Sequence, residues 1–152
     1  MKTENAIKDK SFSFALRVVK CYKYLRSEQS EYVLSKQFLR SGTAIGALVR
    51  EAEKAESKPD FIHKLSISLK EANETEYWLE LLYQSQYIDK SAYESIYADC
   101  KELIKLLTSN NKDKQEKLTT EFIMGRVKII IAIVALLLKA NCKLSIVNCQ
   151  LN

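Results

Sequence analysis

Glycine and proline are nearly missing from this chain. Three glycines and one proline in 152 residues leave little turn chemistry, whereas Leu, Lys, Glu, Ala and Ser are plentiful, and the balance predicts an all-α protein. Histidine is scarcer still. Asp60-x-x-His63 has the spacing used in di-iron bundles, but such a centre needs a second acidic-x-x-His pair and this chain has one histidine. No metal and no other cofactor is expected. Cys21, Cys100, Cys142 and Cys149 include no C-x-x-C pair and no secreted-scaffold spacing, which predicts reduced, mostly buried thiols. Met1 to Lys10 is polar, with no apolar signal-peptide core behind it. These absences together describe a cytoplasmic protein.

The net charge is +5, but its distribution is uneven. Residues 118–152 carry Arg126, Lys128, Lys139 and Lys143 against Glu121 alone, a local +3 that leaves +2 for the other 117 residues. A protein that holds phosphates through its overall field would be more basic, so any nucleic-acid surface must be local.

Apolar periodicity divides the chain into four helices. The first runs from Lys10 to Glu28, with Phe12, Ala15, Val18, Val19, Tyr22 and Leu25 on one side. The second runs from Glu31 to Glu56, with Leu34, Phe38, Ser41, Ile45, Leu48 and Ala52 along its seam. In "SKPD", Ser57 or Lys58 precedes Pro59 at a helix start, and Asp60 complements the dipole of a third helix reaching Gln84. The fourth begins at Lys90, capped by Asp89, and presents Tyr93, Ile96, Tyr97, Cys100, Leu103, Ile104 and Leu107 to one side. Four amphipathic helices with short links predict an antiparallel up-down four-helix bundle. The expected organisation is an N-terminal arm over residues 1–9, a bundle over 10–117 and a tail over 118–152. The polar run "TSNNKDKQEK" is expected to end the bundle or fray from it.

The tail is atypical. Ile129 to Leu138 is ten consecutive apolar residues between Lys128 and Lys139, half of what a membrane span needs, so a packed or interfacial segment is expected and insertion is not. "NCKLS" at Asn141–Ser145 is echoed by "NCQLN" at Asn148–Asn152, the mark of a translated repeat outside the fold.

Two helices carry features that one buried face does not require. On the third, Phe61, Leu65, Leu69, Ala72, Leu79 and Tyr83 form a stripe interrupted by Glu76, while Ile67, Trp78 and Leu81, with Glu74 between them, form a second patch behind. Apolar residues on both sides suggest a second contacting body, another subunit or the tail. On the second helix, Ser35, Gly42 and Gly46 lie beside the seam. Each mid-helix glycine costs about 1 kcal/mol relative to alanine. Small residues four apart let a neighbouring backbone come close, inside the bundle or between subunits; a glycine-softened bend is the alternative.

The stretch "FLRSGTAIGALVREAEKAESKPDFIHKLSISLKEANETEYWLELL", Phe38 to Leu82, closely resembles a bacterial four-helix-bundle family first noticed as reading frames within intervening sequences of large-subunit ribosomal RNA genes. Accessory variability proteins of diversity-generating retroelements look like relatives. The resemblance extends from about Lys10 to Leu107 and rests on Arg40, on the small-Ile pair Ala44–Ile45, and on Glu-x-Glu-Tyr at Glu74, Glu76 and Tyr77. The family commonly carries asparagine where Leu48 stands, which speaks against a polar role there. The resemblance implies a ring-like homopentamer and, through the retroelement relatives, an RNA-binding partner of a reverse transcriptase. Nothing beyond Lys117 matches the pattern.

Candidate sites follow. Lys10, Arg17, Lys20 and Lys23, with Tyr24 among them, are read on the side of the first helix opposite its apolar stripe. Cations that track phosphates beside a ring that stacks on a base suit single-stranded RNA, or DNA; the alternative is an ordinary charged outer face. The expected oligomer interface comprises Arg40, Gly42, Gly46, Ile67, Glu74, Trp78 and Leu81, with Arg40 either pairing with a carboxylate across it or solvated. Glu76 is expected as a buried carboxylate in a structural ion pair rather than a catalytic group, since no nucleophile, second base or oxyanion site converges on it. Glu71 and Glu80 read as a solvated acidic rim. Gly42-x-x-x-Gly46 lacks the Gly-Lys-Ser/Thr of a phosphate loop, and no Ser or Cys has a partnering base. The chain is therefore expected not to be an enzyme, and a purely structural or protein-interaction scaffold is the competing reading.

Overall fold

The computed structural model describes the backbone of residues 2–149 and the side chains of residues 6–111 and 116–133. It contains four helices, α1 (Lys2–Ser27), α2 (Leu34–Ala52), α3 (Lys58–Gln84) and α4 (Lys90–Cys149), and no strand among the described residues. The chain divides into two compact units, Met1–Lys114 and Gln115–Asn152.

In the first unit the helices meet their chain neighbours in turn, and α1 and α4 close the ring. Lys8 Nζ reaches Glu53 Oε2 at 2.8 Å between α1 and the end of α2. The Ser68 hydroxyl donates to the Ile45 carbonyl at 3.1 Å and Thr75 donates to Ser41 at 3.0 Å between α2 and α3. The Cys100 thiol donates to the Ala72 carbonyl at 3.5 Å between α3 and α4. Lys10 and Glu102 pair at 2.8 Å between α1 and α4. The links, residues 28–33, 53–57 and 85–89, are too short for anything but antiparallel neighbours, so this is an up-down bundle.

Local chemistry sets the helix ends. Ser57 accepts from the Asp60 amide at 3.3 Å with Pro59 in the first turn, and Asp89 accepts from the Ala92 amide at 2.7 Å. The start of α2 is less obvious. Its cap position is Val33, which has no capping oxygen. Instead the Glu31 carboxylate accepts from the amides of Val33, Leu34 and Ser35 at 2.9, 2.8 and 2.6 Å. Glu31 therefore lies before the helix rather than in it, and Ser30 turns the chain with φ of 52°. Glu31 is 6% exposed. Burial pushes its carboxyl up, but the backbone N–H donors and the Ser35 hydroxyl outweigh that and hold it below the usual carboxylate range.

The core register of α1 differs from the expected one. Ile7, Ser11, Phe14, Val18, Cys21 and Leu25 are buried at alternating steps of four and three, whereas Phe12 is 47% exposed, beneath the Arg50 guanidinium at 4.8 Å from its ring centre. The helix carries two overlapping apolar stripes, and packing against α2 selects the one that places small Ser11 at the contact. This register also brings Ile7 into the core, so residues 2–9 of the expected arm are the opening of α1, and Met1 lies outside the described residues.

Gly42 and Gly46 make that contact possible. A Cβ on Gly42 would stand 2.8 and 2.9 Å from the two methyls of Val18, and one on Gly46 would stand 3.4 Å from the Ser11 carbonyl oxygen. Both glycines are buried. Their expected place at an interface between subunits is thereby corrected, because α1 of the same chain already fills the space beside them. On α4 the expected side is the one buried: Ile96, Cys100, Leu103 and Leu107 enter the core, with Tyr93, Tyr97 and Ile104 packed against it.

The polar run from Thr108 to Lys117 contains the end of the first compact unit, at Lys114, yet α4 continues through it, since the run has no glycine or proline to stop a helix. The second unit, described by itself, continues helical to Cys149, and its described side chains are nearly all exposed. The thiols of Cys142 and Cys149 and the side chains from residue 134 onward, including Lys139, Lys143 and most of the repeat, lie outside the described residues.

The glycine contacts generate an asymmetric expectation. Gly42→Ala should lower the midpoint of thermal unfolding by roughly 4 °C or more, because overpacking against a stiff β-branched residue costs about 1–3 kcal/mol. Gly46→Ala, at an ordinary contact distance, should be neutral or stabilising by up to about 1 kcal/mol. Val18→Ala should relieve most of the Gly42→Ala loss, which a double-mutant cycle by calorimetry measures.

Glu31 generates a second. A folded-state pKa below the unfolded value of about 4.3 contributes stability above that pH and loses it as pH falls through the folded value. Glu31→Gln should cost about 1 kcal/mol at pH 7, and its deficit against the parent should close below about pH 4 in urea titrations.

Candidate nucleic-acid and assembly surfaces

The basic residues of α1 do not share one outer face. Lys10 is tied to Glu102 at 2.8 Å. Arg17 points across the seam to α4, where it pairs with Asp99 and donates to the carbonyl and hydroxyl of Ser95 at 3.1 and 2.7 Å. The expectation that both stand free opposite the apolar stripe is corrected: the register that buries Cys21 and Phe14 turns positions 10 and 17 toward α4. Lys20 and Lys23 are exposed, and neither makes an ion pair among the described residues. Tyr24 is 45% exposed, and its hydroxyl accepts from Gln29 Nε2 at 2.8 Å.

Arg17, Lys20, Cys21 and Tyr24 line an open groove of about 580 Å³ between α1 and the start of α4, facing Ile88, Asp89, Ala92 and Ile96. One cation in it is already spent on Asp99, and Asp89 adds negative charge. Burial pushes the Cys21 thiol up to about 11 against a small opposing pull from Arg17, and the Cys100 thiol up to about 12. Neither forms a thiolate at neutral pH, so neither is a nucleophile there.

The residues expected at an interface divide likewise. Arg40, 56% exposed along its side chain, pairs with Glu74 of its own chain and lies 3.7 Å from Glu71 Oε2, with Gln37 Oε1 at 3.4 Å. The partner envisaged across an interface is thus supplied from within. Glu74 also accepts from the Trp78 indole at 3.0 Å; that bond, ahead of Arg40, holds its carboxyl below the usual range. Trp78 is half-buried, packs against the core and meets Tyr77 edge-on with ring centres 5.0 Å apart. The apolar back of α3 is therefore partly accounted for within the same chain, where Trp78 packs on the core, while Ile67 and Leu81 remain half-buried and Tyr77 is 58% exposed. Glu71 is no solvated rim residue: its side chain is 18% exposed and Oε2 has no hydrogen bond. Glu80 is exposed.

Glu76 is half-buried, with 21% of its side chain exposed, and faces α4. It accepts from the Tyr97 hydroxyl at 2.9 Å and from Lys101 at 3.0 Å, and its hydrogen bonds raise the pKa of both. Beside it Tyr83 stacks on Tyr93 with ring centres 4.4 Å apart, and Tyr97 lies tilted against Tyr93 at 5.2 Å. The sequence reading missed this aromatic column, although Tyr93 and Tyr97 at i, i+4 on a buried side were its signal. His63 is exposed, and no group of three or more His, Cys, Asp or Glu suited to a metal gathers among the described residues.

The comparisons agree with this architecture. The family model described as 23S rRNA-intervening sequence protein matches residues 3–109. Among solved structures, a protein of unknown function from the S23 ribosomal protein family of Bacteroides thetaiotaomicron is 60% identical, with a TM-score of 0.72. The match covers 72% of this chain and 98% of that one. No curated protein matches.

Proposed function

The chain belongs to the 23S rRNA-intervening sequence protein family, and from that membership we propose that it is a non-enzymatic, cytoplasmic bundle protein that assembles into a homo-oligomeric ring and contacts single-stranded RNA through α1. The observation that carries the RNA half is the trio Lys20, Lys23 and Tyr24: two exposed cations with no ion pair among the described residues and an exposed ring on successive turns of one helix. Lys10 and Arg17 are left out of the contact because α4 already neutralises them. Two cations hold RNA weakly. Repetition around a ring multiplies them, and this is why assembly and binding belong to one reading. The assembly half draws on Ile67, Tyr77 and Leu81, which the four helices of one chain leave incompletely covered.

A scaffold that holds a protein partner is the second reading, favoured by the neutralised α1–α4 seam and by the exposure of Tyr77.

The two separate in a titration of a fluorescent oligouridylate at several salt concentrations. Log affinity should fall with log salt at a slope of roughly −0.7 for each phosphate neutralised. Lys20→Glu with Lys23→Glu should abolish binding and leave the mass in light scattering at a multiple of the 17.5 kDa chain. Arg17→Gln should spare RNA affinity and lower thermal stability instead. Binding that is absent or indifferent to salt selects the scaffold, and a single-chain particle removes the ring.

A further inference from the structure

From Phe122 to Ile133 every large apolar side chain of the second unit is exposed, by 42% to 62%. Their directions matter more than their number. At about 100° per residue they spread over roughly 200° of the helix circumference, twice the width of the stripe that one packed neighbour covers. Ile129, Ile130 and Ile131 are consecutive and so face three different ways. A second helix laid against this segment would leave much of it in water, whereas a lipid layer conforms to any width.

Length and charge narrow the geometry. The apolar run Ile129–Leu138 is about 15 Å of helix against a hydrocarbon core of about 30 Å. Among the described residues, no helix is long and apolar enough to cross a membrane. The run is bracketed in the sequence by Lys128 and Lys139, and two cations set apart by the length of the run both meet a headgroup layer only when the helix lies along the surface. Arg126, 4.9 Å over the Phe122 ring, sits within the apolar arc, between Ile133 and Ile130, and reaches the headgroups by extending its stem; it adds a third cation to residues 118–152, whose single acid is Glu121. We propose that this segment is an interfacial anchor that lays the protein on an anionic lipid surface, apolar arc in the acyl boundary and basic residues among the phosphates. This is the interfacial alternative of the packed or interfacial segment expected from the length of the apolar run. The proposal stands apart from RNA binding, since it uses no residue of α1.

Flotation of the full chain with vesicles of phosphatidylcholine, with and without phosphatidylglycerol, tests it. The chain should rise with both and more with the anionic ones, with Arg126→Gln and Lys128→Gln each lowering the anionic preference about fivefold. Ile130→Asp with Ile133→Asp should cut partitioning by at least about tenfold for each substitution. Both sites are exposed, so far-ultraviolet circular dichroism and the unfolding midpoint should not change. Three results would overturn the proposal: a chain that stays at the bottom of the gradient, flotation untouched by the aspartates, or aspartates that reduce particle mass with no vesicle binding, which would make a second copy the occupant.

Discussion

The approach of α1 to α2 at two glycines governs the rest of the bundle. With a side chain at position 42, the methyls of Val18 would have to retreat, and α1 would slide or rotate on its partner. Rotation is the consequential movement, because α1 carries apolar residues on two stripes and could bury either. The glycine seam selects Ser11 and Val18 for the inside. Phe12 and Leu16 then remain outside, Lys10 and Arg17 turn to α4, and Lys20 and Lys23 face solvent. The surface on which the RNA reading depends is thus set by a steric fact on the far side of the helix.

Small buried hydroxyls extend the same logic. Ser35, Ser41, Ser68 and Thr75 line the inner faces of α2 and α3, each fully buried. Such groups are costly without partners, but here each donates to a carbonyl or to another hydroxyl. Their small volume keeps α2 close to α3, as the glycines keep it close to α1. Around this tight centre the charges settle locally. Acids on α3 and α4 take up Arg40, Lys101, Lys10 and Arg17. What remains for an external partner is therefore less than a count of lysines and arginines suggests.

Much of the fold was legible because its signals are local. Asp89, Ser57 and Pro59 mark helix starts through bonds within one turn, and the single apolar side of α4 left one way to face the core. The α1 register was not legible, since choosing between Phe12 and Phe14 requires knowing that Gly46 stands opposite Ser11. The partners of Arg17 and Arg40 were hidden for a related reason. Asp99 and Glu74 lie far along the sequence from them, and only the closed bundle brings them together. Glu31 escaped notice because a carboxylate at this offset caps α2 without occupying the cap position, so periodicity counted it as helix. The candidate site was half readable: residue types and spacing pointed to α1, but which cations stay free is a property of four helices rather than one.

The two ends of the chain meet water under different rules. In the first unit an exposed apolar residue is a remainder, such as Phe12 beneath Arg50, left after a core has been satisfied elsewhere on the same helix. In the second unit exposure follows no such division, for the described isoleucines point in several directions and no buried apolar residue balances them among the described side chains. A bundle is stable because each helix sacrifices one face to solvent and hides another. Side chains that stay in water draw no stability from packing, so the apolar composition of residues 122–133 has to answer to something other than a core of its own. On the anchoring proposed for it, the effect of the tail appears in where the protein resides rather than in how well it folds.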